Sequence, residues 1–78
     1  MHMLEFQTDD DAGNGKNRWV VHTSPITSMR GLLVITYRVL RLLIRDGQKV
    51  YIKCSSQLRD EIVSTVLYPR YVYFLPTF

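Results

Sequence analysis

The longest stretch without a structural interruption runs from Pro25 to Asp46, and it constrains the chain more than any other feature. Ser24-Pro25 before it supplies an N-cap hydroxyl and a first-turn proline, and Gly47 after it is the residue type that closes helices. A single long helix from Pro25 to Asp46 is therefore expected. On a helical wheel of about 100° per residue, Met29, Leu32, Leu33, Ile35, Val39, Leu40, Leu42, Leu43 and Ile44 fill an apolar arc of roughly 200°. One sheet contact needs less than that. The helix therefore requires cover on two sides, one from a sheet and the other from a second helix, a partner subunit or both.

The rest of the wheel is basic. Arg30, Arg38, Arg41 and Arg45 fall within an arc of roughly 80°, with Val34 and Tyr37 in or beside it. A row of guanidinium groups suits phosphate, because each offers a planar fork of donors and each phosphate contact releases counterions. The bland alternative is a solvated helix face, and a third is contact with an acidic protein surface.

Either side of the long helix, the pattern switches to period two. Arg18 to Thr23 reads as a strand, and Lys49-Val50-Tyr51-Ile52-Lys53-Cys54 alternates polar and apolar residues as a half-buried strand does. Ser55 and Ser56 cap a second helix over about Gln57 to Leu67, with Leu58, Ile62 and Val66 at helical spacing and Tyr68-Pro69 stopping it. Arg70 to Leu75 is a last strand. Leu4 to Thr8 is a candidate extra strand, followed by a turn-rich stretch from Asp9 to Asn17 that either closes a hairpin or forms a loose arm. The opening Met1-His2-Met3 reads as a start plus an added remnant and receives no functional weight.

The expected fold is a small two-layer α/β domain, β-α-β-α-β, with α+β as the alternative. It has three mostly parallel strands and an additional N-terminal strand where the hairpin forms. Alternating strands argue for both helices on one face, because a sheet covered on both faces shows continuous apolar strands. A chain of 78 residues with 46% hydrophobic content holds one such domain. It divides into an acidic arm or hairpin over 1–17 and a basic domain over 18–78.

Charge follows that division. Glu5, Asp9, Asp10 and Asp11 precede every lysine and arginine, whereas from Lys16 onward ten basic residues face three acidic ones, a balance of +7. A body this basic favours polyanionic partners, whether nucleic acid, an acidic protein surface or a membrane face, and the acidic arm is placed to fold over it. Small domains leave much of their surface wet, so a homodimer is also expected.

A second candidate surface follows from strand alternation. With Val50, Ile52 and Cys54 inward, Lys49, Tyr51 and Lys53 face out, and with Val72 and Phe74 inward, Tyr71 and Tyr73 do the same. Tyrosines interleaved with lysines can stack unpaired bases while holding phosphates, and can equally pack against another subunit or the arm.

A third candidate is topological. If the first two strands of the β-α-β-α-β unit are parallel neighbours, His22-Thr23-Ser24 and Cys54-Ser55-Ser56 end side by side at two helix N-termini. Ser24, Ser55 and Ser56 then form a candidate anion site, and His22 with Cys54 the one constructible nucleophile–base pair.

Other chemistry finds no support. There is no phosphate-loop glycine spacing, cysteine pair for zinc or serine nucleophile elbow, and Asp9 to Asp11 lack the alternating ligands of a calcium loop. Asp60 and Glu61 are adjacent on the second helix and point apart. No enzymatic activity, cofactor or metal is expected. One cysteine and no membrane-length apolar run point to an intracellular protein, cytoplasmic or nuclear, with no membrane partner.

The order from Arg18 to Val66, a strand, a long helix, then Gly47 to Lys53 in the form Gly-x-x-Val-x-Ile-Lys and a second helix, resembles the Alba family of small nucleic-acid-binding proteins. The resemblance implies nucleic-acid binding. The chain departs from it in lacking a small-residue, glycine-containing turn after that strand, and no residue role is carried over. The functional expectation is thus a small basic nucleic-acid-binding or nucleic-acid-associated protein. The alternative is a protein-interaction or inhibitor module, such as a viral or mobile-element accessory protein, that binds an acidic protein surface.

Overall fold

The computed structural model describes residues 2–9, 16–45, 47, 49–65 and 71–78. Its elements run β1 (His2–Asp9), β2 (Lys16–Thr23), α1 (Met29–Ile44), β3 (Val50–Lys53), α2 (Ser56–Thr65) and β4 (Val72–Phe74). The α/β class holds, as a four-stranded mixed sheet with two helices.

The N-terminal strand forms and pairs with β2 as an antiparallel hairpin, from His2 opposite Thr23 to Asp9 opposite Lys16. The strand order is β2-β1-β3-β4. β1 therefore lies between β2 and β3, antiparallel to both, while β3 and β4 are parallel neighbours. The condition that the Arg18–Thr23 and Val50–Lys53 strands be neighbours is not met: the connection between them crosses over β1. The hairpin pairs β1 with β2 at little loop entropy, and β3 on the other edge of β1 places Leu4 and Phe6 at the centre of the core, where both are fully buried.

Register assigns the faces. Leu4 opposes Val21, Phe6 opposes both Trp19 and Ile52, and Thr8 opposes Val50, so these residues share one side of the sheet. Leu4, Phe6, Val50, Ile52 and Cys54 cluster there with Leu32 and Leu40 of α1 and Leu58 and Ile62 of α2. Both helices thus lie on this side, and among the described residues the other side of the sheet carries no helix. Leu4 and Phe6 are fully buried, so residues 2–9 are a structural strand and not an arm that folds over the domain.

Helix ends are set by side chains. α1 begins four residues later than expected, because Ser28 and not Ser24 is its N-cap: Gly31 N donates to Ser28 Oγ at 3.1 Å. Ser24-Pro25 instead makes a turn, in which Thr27 N donates to the Ser24 carbonyl at 3.0 Å and Ile26 N to Ser24 Oγ at 3.3 Å. α1 ends at Ile44 with Arg45 as its C-cap, two residues before the expected end at Asp46, and Gly47 follows in the turn at φ 75° with its N–H bonded to the Ile44 carbonyl. Ser55 caps α2 through Leu58 N at 3.2 Å. The expectations for Asp10 to Gly15, Asp46, Val66, Leu67, Tyr68-Pro69 and Arg70 lie outside the described residues.

Two buried threonines differ in a way that can be measured. Thr36 Oγ1 donates to the Leu32 carbonyl at 2.8 Å, whereas Thr8 Oγ1 has no hydrogen-bond partner among the described residues. A buried unpaired hydroxyl costs about 1–3 kcal/mol. Thr8→Val keeps the shape and the β-branched strand preference while removing the hydroxyl. We expect it to stabilise the fold by about 1 kcal/mol in chemical denaturation, and an equal or larger loss would contradict the assigned burial.

Candidate polyanion-binding surfaces

The arginine row is built by the phase of α1. Leu32, Thr36 and Leu40 are its buried line. On the helical wheel the centre of the Arg30, Arg38, Arg41 and Arg45 row falls about 160° from that line, so the guanidinium groups point away from the sheet. All four are exposed, and α1 carries no acidic residue. Arg41 and Arg45 stand at the C-terminal end, where cations also complement the helix dipole.

Apolar side chains run through the row. Val34 and Tyr37 are exposed between the arginines, and Arg41 Cζ sits 5.8 Å from the Tyr37 ring centroid, within cation–π range. α2 covers one flank, leaving an open groove lined by Arg30, Leu33, Val34, Tyr37, Arg38, Arg41 and Thr65. A second hollow is bounded by Arg38, Arg41, Leu42 and Arg45. The cover expected on two sides of the helix is thus supplied by the sheet and partly by α2, while Leu42 stays 69% exposed.

The tyrosine–lysine face lies on the opposite side of the molecule. Tyr51 and Tyr73 are directly paired across β3 and β4 and stack with ring centroids 5.4 Å apart. Lys49 Nζ lies 5.7 Å from the Tyr73 ring and Lys53 Nζ 4.7 Å from the Phe78 ring. Phe78 reaches this position because the chain after β4 continues along β3, with Leu75 N bonded to the Ile52 carbonyl and Phe78 N to the Cys54 carbonyl. Tyr71, just before β4, is exposed, and its carbonyl accepts from Val50 N at 2.7 Å. The two sequence-predicted surfaces are therefore separated by the full thickness of the two layers. A single short ligand segment cannot lie on both.

The open face holds an ion pair that no sequence motif marks. Glu5 is 4% exposed, accepts from Gln7 Nε2 at 3.0 Å and pairs with Arg18 Nε. Gln7 opposes Arg18, and Glu5 opposes Lys53, so the carboxylate sits among cations on neighbouring strands. Burial alone raises its pKa, but the Gln7 amide, the Arg18 guanidinium and the Lys53 charge outweigh this and hold it below the usual 4.5. The signal that could have found it is a carboxylate on an alternating strand beside a basic one, but the pairing register decides contact.

The third candidate is not assembled. β1 separates the ends of β2 and β3, so His22 and Cys54 stand two strand spacings apart, on the order of 10 Å, and the conditional nucleophile–base pair does not form. Burial pushes the Cys54 thiol up to about 11, with Arg59 opposing weakly, so it is protonated at neutral pH and is a poor nucleophile. Ser24 serves a turn, Ser55 caps α2, and Ser56 is the first residue of α2, so the three hydroxyls form no common anion site. Among the described residues no group of three His, Cys, Asp or Glu side chains is arranged to hold a metal ion, and no helix is long and apolar enough to cross a membrane.

The fold and these surfaces define a small two-layer α/β domain with an arginine-lined helical face and an aromatic, lysine-bearing sheet face. Comparison with protein-family models, curated proteins and solved structures finds no match to this chain.

The lowered Glu5 pKa fixes the sign of one pH effect. A carboxylate with a depressed folded-state pKa contributes stability above its unfolded value and loses it as pH falls through the folded one. Thermal unfolding should therefore shift to lower temperature as pH drops below about 4.5, and Glu5→Gln should flatten that acid limb. An acid limb of unchanged steepness in Glu5→Gln would place the effect elsewhere.

Proposed function

We propose that this protein binds nucleic acid through the outer face of α1. The observation that carries the reading is the row of Arg30, Arg38, Arg41 and Arg45, all exposed, on a helix without a carboxylate. The row runs from Arg30 to Arg45, about 22 Å of helix axis, enough to meet several successive phosphates of one strand. Affinity in this reading is electrostatic, and the groove beside the row gives the sugar–phosphate chain a track. Tyr51 and Tyr73 with Lys49 and Lys53 offer a separate, weaker platform for unpaired bases. The proposed residence is a reducing intracellular compartment, cytoplasmic or nuclear, which suits a chain whose one cysteine is a free, buried thiol.

A second reading has its own support. Val34, Tyr37 and Leu42 are 45%, 44% and 69% exposed among the arginines, and apolar groups interleaved with cations suit an acidic amphipathic protein segment better than a phosphate chain. The module would then grip an acidic protein surface.

Titration of a labelled single-stranded oligonucleotide across salt concentrations tests the first reading. We expect the paired charge reversal Arg38→Glu/Arg41→Glu to weaken binding by tenfold or more and to flatten the slope of log K against log salt by roughly one per arginine removed. Tyr73→Ala, on the opposite face, should leave that slope unchanged. Equal affinity and slope in the charge-reversed protein would refute the proposal. Weak, salt-steep binding replaced by salt-insensitive capture of an acidic peptide that is lost in Val34→Ser/Leu42→Ser would favour the second reading.

A further inference from the structure

β2 is an eight-residue strand at the edge of the sheet, and among the described residues no strand pairs with its outer side. The opposite edge, β4, has only three residues. A long strand with free N–H and C=O groups is normally blunted by charge, proline or a bulge, because otherwise it templates pairing with another strand. The middle of β2 has none of these. Its central residues are Trp19, Val20 and Val21, with Trp19 42% and Val20 40% exposed. The nearest charge, Arg18, is already neutralised within its own chain by Glu5.

We propose that the partner of this edge is a second copy of the chain, joined by antiparallel β2–β2 pairing into a continuous eight-stranded sheet. Three observations select a second copy over a foreign peptide. The first is symmetry. A twofold axis perpendicular to the sheet keeps both helical layers on the same side, and it lets one strand satisfy itself, since each copy offers the same alternation of donors and acceptors.

The second is face and charge matching. The axis requires opposing residues to share a face, which allows the register centred on Val20. Trp19 then meets Val21 of the second copy on the helix-bearing side, where their neighbours in β1 are Phe6 and Leu4. On the open side Arg18 meets His22, and Val20 meets its own copy. No arginine faces its own copy, as it would in a register centred on Arg18.

The third is the helical layer. Leu33 lines the groove shared with Thr65 of α2, and Leu42 lies about 180° from Leu33 on the wheel, so its 69% exposed side chain is on the flank of α1 turned away from α2. α1 itself packs against β3, so within one protomer that flank has no cover from α2. In the proposed dimer the second copy is the source of the further cover that the wide apolar arc of α1 calls for. The arginine rows stay exposed on the outside, so the dimer doubles the cationic surface without consuming it.

The test is independent of nucleic acid. Sedimentation equilibrium of the full chain at about 100 μM should give twice the 9.2 kDa protomer mass. Val20→Lys and Val20→Glu each set like charges against each other at the axis, so each alone should weaken self-association by at least about tenfold, and an equimolar mixture should restore the dimer. Circular dichroism and thermal melts establish that each variant is folded, which the exposure of Val20 favours. Val20→Cys should form an intermolecular disulfide under mild oxidation, and Cys54, being buried, does not compete. A wild-type monomer at this concentration, or a dimer unaffected by both charged variants, overturns the proposal. So does an edge that stays monomeric yet takes up an acidic extended peptide.

Discussion

The position of β1 governs the rest of the molecule. As the strand between β2 and β3 it contributes Leu4 and Phe6 to the centre of the core, and its two partners could not be joined directly without rebuilding the sheet. Its insertion pushes β2 out to the edge and moves the end of β2 away from the end of β3. It also brings Glu5 under Arg18 and beside Lys53, so that a carboxylate buried in the sheet offsets charge on the open face. Fold, edge exposure and the absence of a paired anion site at the strand ends are consequences of one pairing choice.

That choice also divides the two candidate surfaces. With both helices on one side, the period of α1 sends its arginines outward from the helical layer, while the period of β3 and β4 sends Tyr51 and Tyr73 outward from the sheet. Each surface is made by regular secondary structure, which fixes side-chain direction better than a loop would. Because they point in opposite directions, a ligand that uses both must wrap the domain or bridge two molecules of it. The arginine row has the stronger claim as a primary contact, since its charges are unopposed on α1, whereas on the open face Glu5 already occupies Arg18.

Features set by a single period were legible in the sequence. The arc of Arg30, Arg38, Arg41 and Arg45 and the outward set of Lys49, Tyr51 and Lys53 follow from spacings of 3.6 and 2, and the structure keeps both orders. The turn at Gly47 just beyond α1 was legible because a positive φ favours glycine, although the helix itself stops earlier, at Ile44. Its start was not, because Ser24 and Ser28 both offer a capping hydroxyl and Pro25 suits a turn as well as a first helical position. The insertion of β1 was illegible for another reason: alternation in Leu4, Phe6 and Thr8 says which face is buried but not which strand lies beside it. Everything that depends on register followed from that gap, including the Glu5–Arg18 pair, the free β2 edge and the separation of His22 from Cys54.

The central functional claim is that the outer face of α1 is where a nucleic acid sits. The most direct measurement is a residue-resolved amide chemical-shift map of the isotopically labelled protein, titrated with a short single-stranded oligonucleotide at low salt. The account predicts shifts that progress along Arg30 to Arg45 and reverse on adding salt, with the amides of Tyr51 and Tyr73 moving less. Shifts confined to the open sheet face, or none anywhere on α1, would contradict it.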